Sequence, residues 1–212
     1  MPAATTLIDV LRCAITDRTV FSGDESQRQN ALLRQVSLWA RKRIDLIQLR
    51  EKDLTPADLT YLAIQALAAI AAQSSPTRLL INGSFQAALD SRAHGLHLPS
   101  HSPLLPDDVR RRYLSFGLPH PTVTVSCHSL AEVHIAHRNR ADAILFAPVF
   151  GKTINGQLVT PAAGLEALRE ACLAAAPIPV YALGGVTEEN APQCLAAGAA
   201  GIAGIRLFTN VE

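Results

Sequence analysis

The chain has 212 residues, 19 Lys and Arg against 18 Asp and Glu, a net charge of +1, and 49% hydrophobic residues. That balance excludes the basic footprint of a nucleic-acid binder, and no apolar run reaches the roughly 20 residues that span a bilayer. The length suits one sizeable core, and residues 1–212 read as a single domain without a linker or low-complexity segment.

In chain order, short apolar runs alternate with Ala/Leu-rich amphipathic stretches. The pattern predicts strands at 11–15, 44–50, 79–82, 95–98, 122–127, 143–148, 180–183 and 201–205. Helices are predicted between them at 25–42, 56–73, 85–91, 106–114, 130–138, 164–175 and 188–197. Thr55-Pro56 marks one helix start, with a capping hydroxyl and proline at the first helical position. Ser129-Leu130-Ala131-Glu132 reads as a capping box, and Gly198 as a C-terminal cap. Eight strands alternating with helices require parallel pairing, since parallel neighbours need crossover helices. A compact (β/α)8 TIM barrel is the expected fold, smaller than the usual ~250 residues. An open doubly wound sheet is the rival architecture.

Four cysteines (Cys13, Cys127, Cys172, Cys194) lack C-x-x-C spacing, and the N-terminus lacks a charged start followed by an apolar stretch. Both features lead to the expectation of reduced thiols in a cytoplasmic protein. The clusters at 41–43 and 110–112 read as solvated helix faces. Cys127 has outward parity and is expected to pack under a helix.

Barrel active sites gather at the C-terminal strand ends, so strand parity selects candidates. Gln48, Arg50 and Lys52 share one parity, which suits a phosphate or carboxylate ligand. Ion pairing with Glu51 or Asp53 is the competing explanation. Thr124, Ser126 and His128 alternate inward on the fifth predicted strand, placing His128 at its end as an acid or base. Gly184-Gly185, and Gly204 with Ile205, end the last two strands where backbone N–H groups approach an anion closely. His97, His101 and His128 raise a metal hypothesis, but their spacing has no metal signature; buried or hydrogen-bonded histidines are expected.

In order, Gln48-Leu49-Arg50-Glu51-Lys52, Asn82, Gly95-Leu96-His97-Leu98, Ser126-Cys127-His128-Ser129, Ala147-Pro148-Val149-Phe150 and Leu183-Gly184-Gly185-Val186 resemble the thiamine phosphate synthase/TenI superfamily. The likeness is strong over 44–208 and weak before it. For the synthase branch it implies coupling of a pyrimidine pyrophosphate to a thiazole phosphate, with Mg²⁺ on two Asp residues. This chain has Gly83 and Ser102 at those positions, and Arg206 where the family carries a serine. The TenI branch implies a thiazole tautomerase that needs no metal, with His128 as acid/base.

On that resemblance the expected function is metal-independent tautomerisation of a thiazole carboxylate phosphate. Its phosphate would lie on Gly184, Gly185, Gly204 and Ile205, with Arg206 beside them. Gln48, Arg50, Lys52 and Asn82 would bind the rest of the substrate. The segment 151–157, with Lys152, would close over the site. No cofactor is expected unless the coupling reaction applies, when Mg²⁺ enters. That synthase and a non-catalytic sensor of a thiamine-pathway phosphate are the alternatives. The partner expected is a phosphorylated thiazole or pyrimidine; the family adds a homodimer.

Overall fold

In a computed structural model, residues 10–154 and 157–208 are described, apart from the side chains of 152–160. Eight parallel strands close into a barrel: β1 (Leu11–Ile15), β2 (Leu46–Leu49), β3 (Arg78–Asn82), β4 (Gly95–Leu98), β5 (Thr122–Cys127), β6 (Ala143–Phe146), β9 (Val180–Ala182) and β10 (Gly201–Gly204). Closure through the β1–β10 pair excludes the open sheet. β7 (Lys152–Ile154) and β8 (Gln157–Thr160) form a separate antiparallel hairpin where a plain loop is predicted.

The helices are α1 (Glu25–Arg41), α2 (Pro56–Ala71), α3 (Phe85–Asp90), α4 (Pro106–Ser115), α5 (Leu130–Arg138), α6 (Gly164–Ala175) and α7 (Ala191–Ala196). A 3₁₀ turn, Arg18–Val20, follows β1 and has no sequence forecast. Helix starts follow local chemistry. The Thr55 side chain accepts the Asp58 N–H, and Asp24 forms a reciprocal capping box with Gln27. α2 then buries Leu59, Leu62, Ala63, Ala66 and Ile70, an i, i+3, i+4, i+7 stripe that faces the barrel. Gly198 takes φ +104° after α7, as its cap reading expects. α7 begins at Ala191 rather than 188, after a turn in which Thr187 and Asn190 bond each other reciprocally.

Parity divides the core. Ile47, Leu49, Leu96 and Val123 point outward under the helices, whereas Cys13, Ile15, Leu46, Leu80, Leu145 and Tyr181 fill the barrel interior. Cys127 is fully buried beside Val133 and Ala136 of α5, the expected outward packing. All four cysteines are free. Among the described residues, no helix is long and apolar enough to cross a membrane.

Candidate active site

Above its apolar floor the barrel interior turns polar at the C-terminal strand ends. β2 presents Gln48, β3 Asn82, β4 His97 and β5 Thr124 and Ser126, because each continues the inward parity of its strand. Gln48 Nε2 donates to Asn82 Oδ1 at 2.7 Å. Gln48 is 2% exposed, and its Oε1 has no protein partner among the described residues. A buried, unpaired acceptor is costly, so this oxygen is a place for a ligand N–H or a water.

His97 lies level with Asn82 and Thr124 and is wholly buried. Its Nδ1 bonds the Thr124 hydroxyl and its Nε2 the Ser126 hydroxyl, both at 2.8 Å. Burial, and then the charge of Arg50, push its imidazole down to about 3. His97 is therefore a neutral spacer that fixes two hydroxyls. His101 departs from the expectation of a buried or bonded ring: it is exposed, with φ +62°, in the β4–α4 loop.

His128 is exposed just beyond β5. Its Nδ1 bonds the Ala147 carbonyl at 2.6 Å. A carbonyl only accepts, so Nδ1 carries the hydrogen and Nε2 is left to exchange a proton. Glu132 takes the His128 backbone N–H and, at 2.9 Å, the Ser100 hydroxyl. Burial works against its charge, but these two bonds win and hold its carboxyl below the usual value. The Ser129 hydroxyl accepts the Glu132 N–H, so half of the predicted capping box stands. The other half is corrected, since the carboxylate reaches His128 rather than Ser129.

The strand pattern places Lys52 with Gln48 and Arg50, but β2 ends at Leu49 and Lys52 lies exposed in a turn. Arg50 is half-buried. The competing idea, that these cations pair with Glu51 or Asp53, meets an unforeseen residue. Arg18, 4% exposed, takes both acids: Nη1 to Glu51 at 3.1 Å and Nη2 to Asp53 at 2.6 Å. Thr16 Oγ1 donates to Glu51 Oε1 at 2.6 Å and accepts the Arg50 N–H at 2.9 Å. Arg18 and Thr16 thus lock the backbone that carries Arg50. Their partners lie 33 to 35 residues away, so no local motif signals them.

Gly184, Gly185, Gly204, Ile205 and Arg206 line one cavity of about 680 Å³, with Pro148 and Asp17 on its wall. Gly184 and Gly185 have φ +91° and +67°. A Cβ on Gly184 would lie 2.7 Å from Pro148 Cα, and one on Gly185 2.7 Å from Phe150 Cβ. Among the described residues, no hydrogen bond uses the N–H groups of Gly184, Gly185 or Ile205. Lys152 opens β7, and its side chain lies outside the described atoms, as do residues Asn155 and Gly156. A broader basin of about 960 Å³ around Arg110, His134 and His137 lies among loops at the opposite strand ends, away from these groups.

Magnesium would need near-octahedral oxygen donors, carboxylates among them. Gly83 offers no side chain, and Ser102 Oγ accepts the Leu104 N–H at 3.2 Å. The nearby carboxylates are engaged: Glu51 and Asp53 by Arg18, Glu132 by His128 and Ser100, and Asp17 by Thr19. The described residues contain no group of three or more His, Cys, Asp or Glu placed to hold an ion. This donor set does not fit the Mg²⁺ site that the resemblance implies.

A family model described as thiamine monophosphate synthase matches residues 14–208. A protein of Aquifex aeolicus named "Putative thiamine-phosphate synthase 2" is 37% identical over 195 residues, covering 92% of this chain and 95% of its own. The thiamine-phosphate synthase of Methanocella arvoryzae is 34% identical over 169 residues, or 79% and 75% of the two chains. Among solved structures, thiamine phosphate pyrophosphorylase from Pyrococcus furiosus superposes with TM-score 0.74 at 22% identity, covering 93% of this chain and 86% of that one.

Proposed function

The chain belongs to the thiamine monophosphate synthase family, and from that premise we propose that it is an enzyme acting on a thiazole phosphate by metal-independent proton transfer. The observation that carries this reading is the His128 ring. It sits at a C-terminal strand end, with Nδ1 held by the carbonyl of Ala147, the residue before Pro148 of the cavity wall, and with no partner on Nε2 among the described residues. Neutral Nε2 takes a proton from a carbon of the non-aromatic thiazole and returns one at a second position. The ring becomes aromatic with no net change in atoms or electrons. The phosphate rests on the N–H groups of Gly184, Gly185 and Ile205, with Arg206 beside it. Arg50, just beyond the end of β2, faces the substrate carboxylate.

The names of the curated relatives match a second reading, the coupling of a pyrimidine pyrophosphate to the thiazole phosphate. It requires Mg²⁺ ligands that this chain does not offer from the family's positions. The test is His128→Asn assayed on the thiazole carboxylate phosphate. Turnover is expected to fall by about 10²–10⁴-fold, while calorimetric binding of the ligand stays within about twofold. Undiminished turnover in the variant would remove His128 from the reaction. Formation of thiamine phosphate that strictly requires Mg²⁺ would select the coupling reaction instead.

A further inference from the structure

Glu132 is a carboxylate at the β5–α5 junction that the transferred proton does not visit. In a capping box an acid at this helix position returns to the N–H of the cap residue. Here it reaches one residue further back, to the His128 N–H. Its second oxygen leaves the helix altogether and accepts the hydroxyl of Ser100, 32 residues away in the β4–α4 loop. Helix capping alone gives Ser100 no part.

We propose that Glu132 and Ser100 are positioning residues for His128, tying the β4–α4 loop to the backbone that aims the imidazole. This inference rests on the reading of His128 as the proton carrier. An exposed ring held only through Nδ1 at Ala147 would swing with its backbone. Fixing that backbone with a charge-assisted bond keeps Nε2 in one direction, and transfer rates fall steeply when such aim is lost. The tethered loop also carries Ser102, at the position where the family resemblance implies a metal-binding acid. In this chain a protein carboxylate ties that loop to the end of β5.

Three variants test the proposal: Glu132→Ala, Glu132→Gln and Ser100→Ala, each assayed on the thiazole carboxylate phosphate. The His128 ring tautomer is read independently in long-range ¹H–¹⁵N spectra. Glu132→Ala should lower kcat by about 10–100-fold with KM within about twofold, and its ring should become a mixture of tautomers. Glu132→Gln retains an amide oxygen for the His128 N–H and should recover to within about fivefold of wild type. Ser100→Ala should lower kcat by about three- to tenfold with Tm unchanged, because Ser100 lies outside α5. Wild-type kcat in Ser100→Ala, or an unmoved tautomer spectrum in Glu132→Ala, would overturn the proposal. The spectrum needs no turnover. A wild-type protein inactive on this substrate would therefore defeat the tautomerase reading, while the tautomer result still decides the positioning role.

Discussion

His97 shows how a titratable group at the candidate active site acts by staying neutral. Its two ring nitrogens hold the Thr124 and Ser126 hydroxyls, and burial keeps the proton off down to about 3. In the unfolded chain the same ring titrates near 6.5. The unfolded state therefore binds a proton that the native state refuses, so acid favours unfolding. The stability concerned is intact above about pH 6.5 and drains away towards about 3, at up to about 1.4 kcal/mol per pH unit. Urea denaturation at pH 7, 6 and 5 should show this slope in the wild type and a shallower one in His97→Gln. Equal slopes in the two proteins would mean that His97 is protonated in the fold. His128 has the opposite setting, exposed and with Nε2 open, which separates the structural imidazole from the proposed catalytic one.

At the scale of elements, the turn after β1 organises the end of β2. Arg18 reaches from its 3₁₀ turn to Glu51, whose side chain is 1% exposed, and Thr16 holds the same carboxylate. The Asp53 and Glu25 contacts of Arg18 reach solvent, at 62% and 49% exposure of those side chains, and contribute little. The cost of losing Arg18 is set by stranding the Glu51 charge. Arg18→Met should destabilise the protein by about 3–5 kcal/mol in urea titration. Adding Glu51→Gln should recover part of that loss, since the stranded charge is gone. A strictly additive double variant would show that Arg18 and Glu51 do not couple. The hairpin β7–β8 is a second unforeseen element, interrupting the β6–α6 connection beside Pro148 and Phe150, which pack on Gly184 and Gly185.

On the scale of the whole molecule, closure of the barrel brings His128, just beyond β5, Gly184 and Gly185, just beyond β9, and Gly204, at the end of β10, to one rim. The proposed anion cradle is backbone and the proposed proton carrier is an imidazole, so neither needs a metal to be aligned. Metal-stripped protein should bind the thiazole carboxylate phosphate with a Kd that changes by less than about twofold on adding Mg²⁺ in calorimetry. Binding that appears only with Mg²⁺ would show that a donor set forms once the substrate is present, and the thiamine-phosphate synthase reading would take precedence.

The barrel was legible from the amino-acid order because period-two and period-3.6 patterns are local, and caps such as Thr55 mark their own boundaries. Parity was equally local, so Gln48, Thr124 and Ser126 could be placed in shared inward rows from spacing alone. Family membership also follows from the ordered motifs and agrees with the match over 14–208. The choice between isomerase and coupling enzyme does not follow from them: Gly83 and Ser102 favour the first, and the names of the relatives match the second. Only the tertiary structure decided that Arg18 takes Glu51 and Asp53, that Lys52 leaves the inward row, and that Glu132 joins His128 to Ser100. The Arg18 contacts and the Glu132–Ser100 bond join side chains from different strand ends, and separations of 32 to 35 residues leave no periodic trace in the chain; Lys52 departs because β2 ends at Leu49.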